Sequence, residues 1–244
     1  MDRLFGLVQA SAALEGCTLD IEQCGLLLRD GVSSAGKTIS EQLLCMDLRD
    51  GYLCAQQFAR AREFWSAYRI RSVADKALRN SGGGAPAAGT EPALQKICSL
   101  ANTQRLHPVE GRSHEVYRAS FEIHYLVSQH RIWGPLSDMM ARLLMNWLQF
   151  ECGLEPTVIR KGVIKDYRRV LGSATSEEIG EIFVSFMSDH EADPDETLLP
   201  KPSSREQILT LLKAHPWMST NDLAKEIGIS AKGVEKQLGI LKER

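Results

Sequence analysis

Apolar residues recur at helical spacing through most of this chain, and alternating strand patterns are almost absent. Residues 11–30 combine small side chains with apolar positions at Leu14, Leu19, Ile21, Leu26, Leu27 and Leu28 and stop at Gly31, which predicts a helix there. Residues 39–68 form a longer periodic run (Leu43, Leu44, Met46, Leu48, Leu53, Phe58, Phe64, Trp65), free of proline and with one internal glycine, Gly51. Residues 80–92, NSGGGAPAAGTEP, hold too much glycine and proline for a regular element and predict a flexible loop. Helical periodicity returns at 93–102 and 114–129. Over 139–150 the apolar side (Met140, Leu143, Leu144, Trp147, Leu148) is so broad that a central, mostly buried helix is expected. Acidic residues and three prolines over 189–203 read as a linker. The expected division is therefore a helical domain over 1–189, a linker over 190–203 and a small three-helix module over 204–244.

Length and composition narrow the function classes without choosing one. A chain of 244 residues holds one substantial core plus a small appendage. A composition of 43% hydrophobic and 25% charged residues is ordinary for a soluble globular protein, and a net charge of −2 gives no global argument for nucleic acid or acidic lipid. No apolar run approaches the roughly 20 residues needed to span a bilayer. The start, MDRLFGLVQASAALEG, lacks a long apolar core between a basic end and a cleavage site, so no signal peptide and a cytoplasmic location are expected. Cys17, Cys24, Cys45, Cys54, Cys98 and Cys152 form neither a CxxC nor a Cys/His cluster. They predict buried, reduced thiols and no metal site.

The chemistry-bearing stretch is 124–159, HYLVSQHRIWGPLSDMMARLLMNWLQFECGLEPTVI. Its second half resembles the helix that anchors the active site of Fic-family (Fido) AMP-transferases. In that family the residues ahead of the helix read HPFxDGNGRxxR, and the aligned run here is RIWGPLSDMMAR. Two anchors set the register: the pair His124-Tyr125, which the family carries seven positions before its catalytic histidine, and Arg142, eleven positions after it. Both place Arg131 at the catalytic position, with His130 one residue early. The resemblance implies a mainly α fold: a Fic/Fido helical bundle, in which a small β-hairpin flap can occur. It also implies a homodimer.

A second match lies near the N-terminus. Ser11, Glu15 and Gly16 fit (S/T)xxxE(G/N), which is similar to the autoinhibitory helix of Fic proteins that carry that element N-terminally. The continuation EGCTLDIEQCGLLLRDGVSSAGKTISEQLL resembles the family's EGNTLT…LL…G…GKSL…E segment, and the resemblance covers roughly residues 11–187. It implies an ion pair between Glu15 and Arg142. A carboxylate–guanidinium pair of this kind is directional and can fix the approach of two helices.

The positions that would do chemistry have changed. Proton abstraction from a target hydroxyl needs a group whose pKa lies near the working pH, and arginine stays protonated, so Arg131 cannot be the base. Pro135 stands where the family's magnesium-holding acid would be and offers no side-chain ligand. Leu136, Ser137 and Asp138 replace the Gly-Asn-Gly cradle. Leucine crowds an incoming phosphate, Asp138 repels it, and Ser137 or Asp138 can cap the helix with the donors a phosphate would use. Met139 replaces the motif's first arginine. The degenerate positions are thus Arg131, Trp133, Pro135, Ser137, Asp138 and Met139, and the expectation is a pseudoenzyme that acts by binding and needs no cofactor. The alternative is a residual protein adenylyl- or nucleotidyltransferase using ATP and magnesium, with His114 or His130 as a replacement base. Residues 31–38, GVSSAGKT, also satisfy GxxxxGK(S/T), and the run 182–187 could be offered as a magnesium-binding strand. A phosphate-binding loop needs a buried strand before it and a parallel sheet around it, and the periodicity here is helical.

The C-terminal module starts with Ile208, Leu209, Leu211 and Leu212 on one face. A second helix turns Leu223 and Ile227 inward, with Gly228 at the turn. Ser230 can cap a third that carries Val234, Leu238 and Leu241. This resembles the helix-turn-helix of winged-helix domains. In a major groove the exposed candidates are Ser230, Lys232, Lys236 and Gln237, with Lys242 and Arg244 near phosphates. Glu235 on the same face opposes DNA, and such folds also serve as protein-interaction pads. The expected function is a DNA- or protein-binding regulator.

Overall fold

A computed structural model describes residues 2–105, 111–173, 175, 178–190, 204–227 and 230–242. The chain divides into two compact units, residues 1–199 and 200–244. The first contains α1 (Asp2–Leu14), α2 (Ile21–Asp30), α3 (Ile39–Arg60), α4 (Ala67–Ala77), α5 (Glu91–Arg105), α6 (Ser113–Gln129), α7 (Ser137–Glu151), α8 (Ile164–Ser173) and α9 (Ile179–His190). Helix α7 is central: α1, α3, α4, α5 and α6 all pack on it, and its residues 139–149 are buried. The main core gathers α1 to α7 around Leu48, Ile70, Ile97, Leu143 and Trp147, while Phe121, Met145, Tyr167 and Phe183 form a second cluster with α8 and α9.

Two helices expected to be continuous are broken. The span 11–30 splits because Gly16 takes φ +93°, and the Cys17 N–H reaches back to the Ala12 carbonyl at 3.0 Å while the Gly16 N–H reaches Ala13. That is a left-handed helix stop, which glycine adopts without steric cost. Helix α2 then restarts with a reciprocal cap, in which Asp20 accepts the Gln23 N–H and Gln23 accepts the Asp20 N–H. The span 39–68 splits at 61–66. Arg62 takes φ +52°, and Arg62 and Glu63 donate back to Ala59 and Phe58, which is the same stop built without a glycine. Gly51, in the middle of α3, marks a close helix crossing. A Cβ there would lie 2.6 Å from Ala77 Cβ and 3.0 Å from Leu143 Cδ1.

No strand occurs among the described residues, so the hairpin flap is not found there. The glycine- and proline-rich segment between α4 and α5 is irregular, as its composition requires, but it is anchored rather than free. The Asn80 backbone and side chain donate to buried Asp47, the Ala87 N–H donates to the Ile132 carbonyl at 2.7 Å, and the Gly84 carbonyl accepts the Trp133 indole at 3.2 Å. Gly84 itself presses on Asp75, where a Cβ would clash. Residues 31–38 connect two helices and 182–187 lie inside α9, so the strand context of a phosphate-binding loop is absent among the described residues. Lys37 instead donates to the carbonyl and hydroxyl of Thr18, and Thr38 caps α3.

The second unit contains α10 (Ser204–Ala214), α11 (Thr220–Ile227) and α12 (Ala231–Lys242) around buried Ile208, Leu223, Ala224 and Val234. Ser219 and Asp222 form a capping box on α11, and Ser230 Oγ accepts the Gly233 N–H at 3.1 Å to cap α12. Residues 191–203 of the expected linker, Gly228 and Arg244 lie outside the described residues, as do the side chains of Lys236, Leu241 and Lys242.

Candidate functional site

The site lies on one face of α7, where Arg142, Asn146 and Gln149 recur at i, i+4 and i+7 in a helix that is otherwise apolar and buried. Arg142 is 4% exposed. Its Nε donates to Ser11 Oγ at 2.9 Å, and one terminal nitrogen donates to the Ser11 carbonyl at 3.3 Å and to Glu15 Oε1 at 2.5 Å. Glu15 is the last residue before the Gly16 stop, so the turn that ends α1 also aims this carboxylate at α7. Burial opposes the charge on Arg142, yet the Tyr167 hydroxyl and the Glu15 carboxylate outweigh it and hold the guanidinium above its usual range. A cleft with room for about one water lies beside it, lined by Ser11, Tyr52, Asn146 and Thr157 among others.

The rest of the polar face is satisfied internally. Asn146 Nδ2 donates to the Tyr52 hydroxyl at 3.2 Å, and the Thr157 N–H donates to Asn146 Oδ1 at 2.9 Å and Gln149 Oε1 at 2.7 Å. Gln149 Nε2 donates to Ser120 and Thr157, both at 2.9 Å. His124 is fully buried, its Nε2 2.8 Å from the Tyr167 hydroxyl, and burial followed by the Arg142 charge pushes its pKa down to about 3. Sequence reasoning used His124 only to set the register and missed Tyr52, Tyr167, Ser120, Asn146, Gln149 and Thr157. Polar residues at helical spacing inside an apolar helix were the available signal.

The turn between α6 and α7 carries the altered motif, and its backbone donors are taken. The Arg131 N–H goes to Ser128, that of Ile132 to Val127, that of Gly134 to Arg131 at 2.8 Å, and that of Leu136 to Trp133 at 3.1 Å. Gly134–Leu136 forms a 3-10 turn, so the Ser137 N–H is used by the Gly134 carbonyl, and Pro135 has no N–H at all. The expected side-chain cap on α7 is not formed. Ser137 is buried, and its hydroxyl points backward to accept the Trp133 N–H at 2.9 Å. Trp133 and Met139 are buried, Asp138 is half-buried, and Arg131 (φ +47°) and Pro135 face solvent. His130 is exposed at the end of α6, whereas His114 sits 3.4 Å from Glu181 at the far end of that helix. No cluster of three or more His, Cys, Asp or Glu that would suit a metal ion occurs among the described residues.

In the second unit, Ser230 and Lys232 are exposed and Gln237 is half-buried. No described helix is long and apolar enough to cross a membrane.

No protein-family model matches this sequence, and no curated protein matches it. Solved structures do. A Fic domain containing signaling protein from Bacteroides thetaiotaomicron is 18% identical with a TM-score of 0.64, over 76% of this chain and 82% of that one. Fic-1 from C. elegans (residues 134–508) is 21% identical with a TM-score of 0.61, over 76% of this chain and 59% of that one. A Fic family protein from Desulfovibrio desulfuricans is 18% identical with a TM-score of 0.59, over 94% of this chain and 75% of that one. The helical arrangement that holds Arg142 at its centre is the Fic-domain fold.

Proposed function

We propose that this protein is a catalytically degenerate Fic-type protein that acts by binding, as a regulator, with duplex DNA as the partner of its C-terminal unit. The α6–α7 turn carries the reading. Phosphate capture at a helix start requires free N–H groups converging on an anion, and every backbone donor from Arg131 to Ser137 is spent on a neighbour. Arg131 cannot accept a proton, Pro135 cannot hold magnesium, and Asp138 adds a negative charge beside the turn. Arg142, the cationic group at the centre of the site, already donates to Ser11 and Glu15.

The test separates a blocked enzyme from a lost one. The natural protein and Glu15→Gly are incubated with labelled ATP, GTP, CTP or UTP and magnesium. If Glu15 merely blocks a working site, its removal releases labelling. If the chemistry is gone, both stay unlabelled. Robust self- or target-labelling by either protein removes the proposal in favour of a residual nucleotidyltransferase. The DNA reading draws on the three-helix unit, the Ser230 cap and the exposed Lys232. It predicts a sequence-selective, salt-dependent mobility shift, weakened by Lys232→Ala, and no binding at low salt discards it.

A further inference from the structure

Three cysteines gather where α1 ends. Cys17 follows Gly16 in the turn, Cys24 lies in α2 and Cys45 in α3, and all three are buried. The Cys17 and Cys45 Sγ atoms stand 3.8 Å apart, and Cys24, which also contacts the Cys45 thiol, donates to the Phe5 carbonyl at 4.0 Å. We propose that Cys17 and Cys45 form a redox latch, which a peroxide closes to a disulfide and which ties the segment carrying Glu15 to α3.

The geometry favours this pair. A disulfide holds its sulfurs about 2 Å apart, so closure asks for a shift of roughly 2 Å. Cys17 sits in a turn between two helices and can make that shift without unwinding either. Its turn is already drawn onto α3, since Glu41 accepts the Thr18 N–H at 2.7 Å and the Thr18 hydroxyl at 2.6 Å. The chemistry balances with one peroxide. The Cys17 thiolate attacks a peroxide oxygen, the O–O bond breaks, and hydroxide leaves as water after protonation. Cys45 sulfur then displaces the hydroxyl of the resulting sulfenic acid as a second water. Two electrons pass from the sulfur pair to the peroxide. Cys17 reacts first because it is 5% exposed and Cys45 is sealed. The hydrogen bond with Cys45 and burial both raise the Cys17 pKa, so closure is slow and follows opening of the 15–20 turn.

The latch lies two residues from Glu15. In the reduced protein the end of α1 is held only by noncovalent contacts, and in the oxidised protein it cannot leave α3. The Glu15–Arg142 contact becomes correspondingly harder to open. This inference is independent of whether the site binds nucleotide.

The full-length reduced protein is treated with hydrogen peroxide under native conditions. The Cys17 and Cys45 thiols are expected to be lost together, with a Cys17–Cys45 link in a nonreducing peptide map that dithiothreitol reverses; the map scores the half-buried Cys54 and Cys98 separately. Amide exchange through α1 should slow about tenfold or more. Cys17→Ala, checked for native circular dichroism, should keep the Cys45 thiol, whereas Cys45→Ala, which lacks the resolving thiol, should form no such link and stop at a Cys17 sulfenic acid that dimedone traps. Retention of the Cys17 and Cys45 thiols, a link through Cys24, equal loss of the Cys45 thiol in Cys17→Ala, or a link that leaves α1 exchange unchanged would each overturn the proposal.

Discussion

Arg142 keeps its charge where water barely reaches because the Ser11 hydroxyl and carbonyl and the Glu15 carboxylate converge on it. The two halves of this pair are unequal, since the Glu15 side chain is 23% exposed and that of Arg142 is 4% exposed. Removing Glu15 lets water reach part of the guanidinium, so Glu15→Ala should cost about 1–2 kcal/mol in urea unfolding. Removing Arg142 empties the centre of the core and strands Ser11, so Arg142→Ala should cost about 3–5 kcal/mol. Equal costs would mean that the pair is solvated and that α1 is held by packing alone. His124 contributes to the pH response. Its folded pKa of about 3 lies below the unfolded value near 6.5, so the unfolded chain binds the extra proton as the solution is acidified. The stability it supports is complete above pH 6.5 and is lost on descent toward pH 3. Stability measured across that window should fall steeply in the natural protein and less steeply in His124→Phe.

The broken helices show what was legible in the chain and what was not. Residues 139–149 announced a buried central helix through apolar breadth alone, because every turn of α7 meets another helix. The Gly16 stop was in plain view, yet Leu14 and Ile21 concealed it by standing in helical phase across the gap. The break at 61–66 was harder to read, since its left-handed residue is Arg62 and its local signal was Ser66, which caps α4 by accepting the Arg69 N–H at 3.3 Å. Tertiary packing of Trp65 against Trp147, with ring centroids 3.9 Å apart, holds a turn that propensity would not choose. The altered motif was readable residue by residue, but the spending of its backbone donors and the backward bond of Ser137 were not, because those depend on the 3-10 turn. Two substitutions test these element-level readings. Arg62 is exposed and sits in a conformation that glycine adopts freely, so Arg62→Gly should stabilise by about 0.5–1 kcal/mol. Gly51→Ala, at the α3–α4–α7 crossing, should destabilise by about 1–3 kcal/mol through overpacking. Thermal or urea unfolding gives both signs, and a stabilising Gly51→Ala would show that the crossing has slack.

Each unit of the molecule has its own core, and this separates the two halves of the proposed function. The C-terminal unit rests on Ile208, Leu223, Ala224 and Val234, a small core for about 40 residues, and such units have little stability to spare. Ile208 is fully buried, and its truncation to alanine removes transfer energy and leaves a cavity, together about 2–5 kcal/mol. That loss is comparable to everything a core of this size supplies. Ile208→Ala should therefore abolish amide protection in α10, α11 and α12 while α1 to α9 keep theirs. The same variant should lose the salt-dependent DNA shift yet retain the Glu15–Arg142 contact and its response to Glu15→Ala. If protection in α1 to α9 falls in parallel, the units are one cooperative body. The site around Arg142 would then be coupled to the C-terminal helices, and regulation would have to be sought in that coupling.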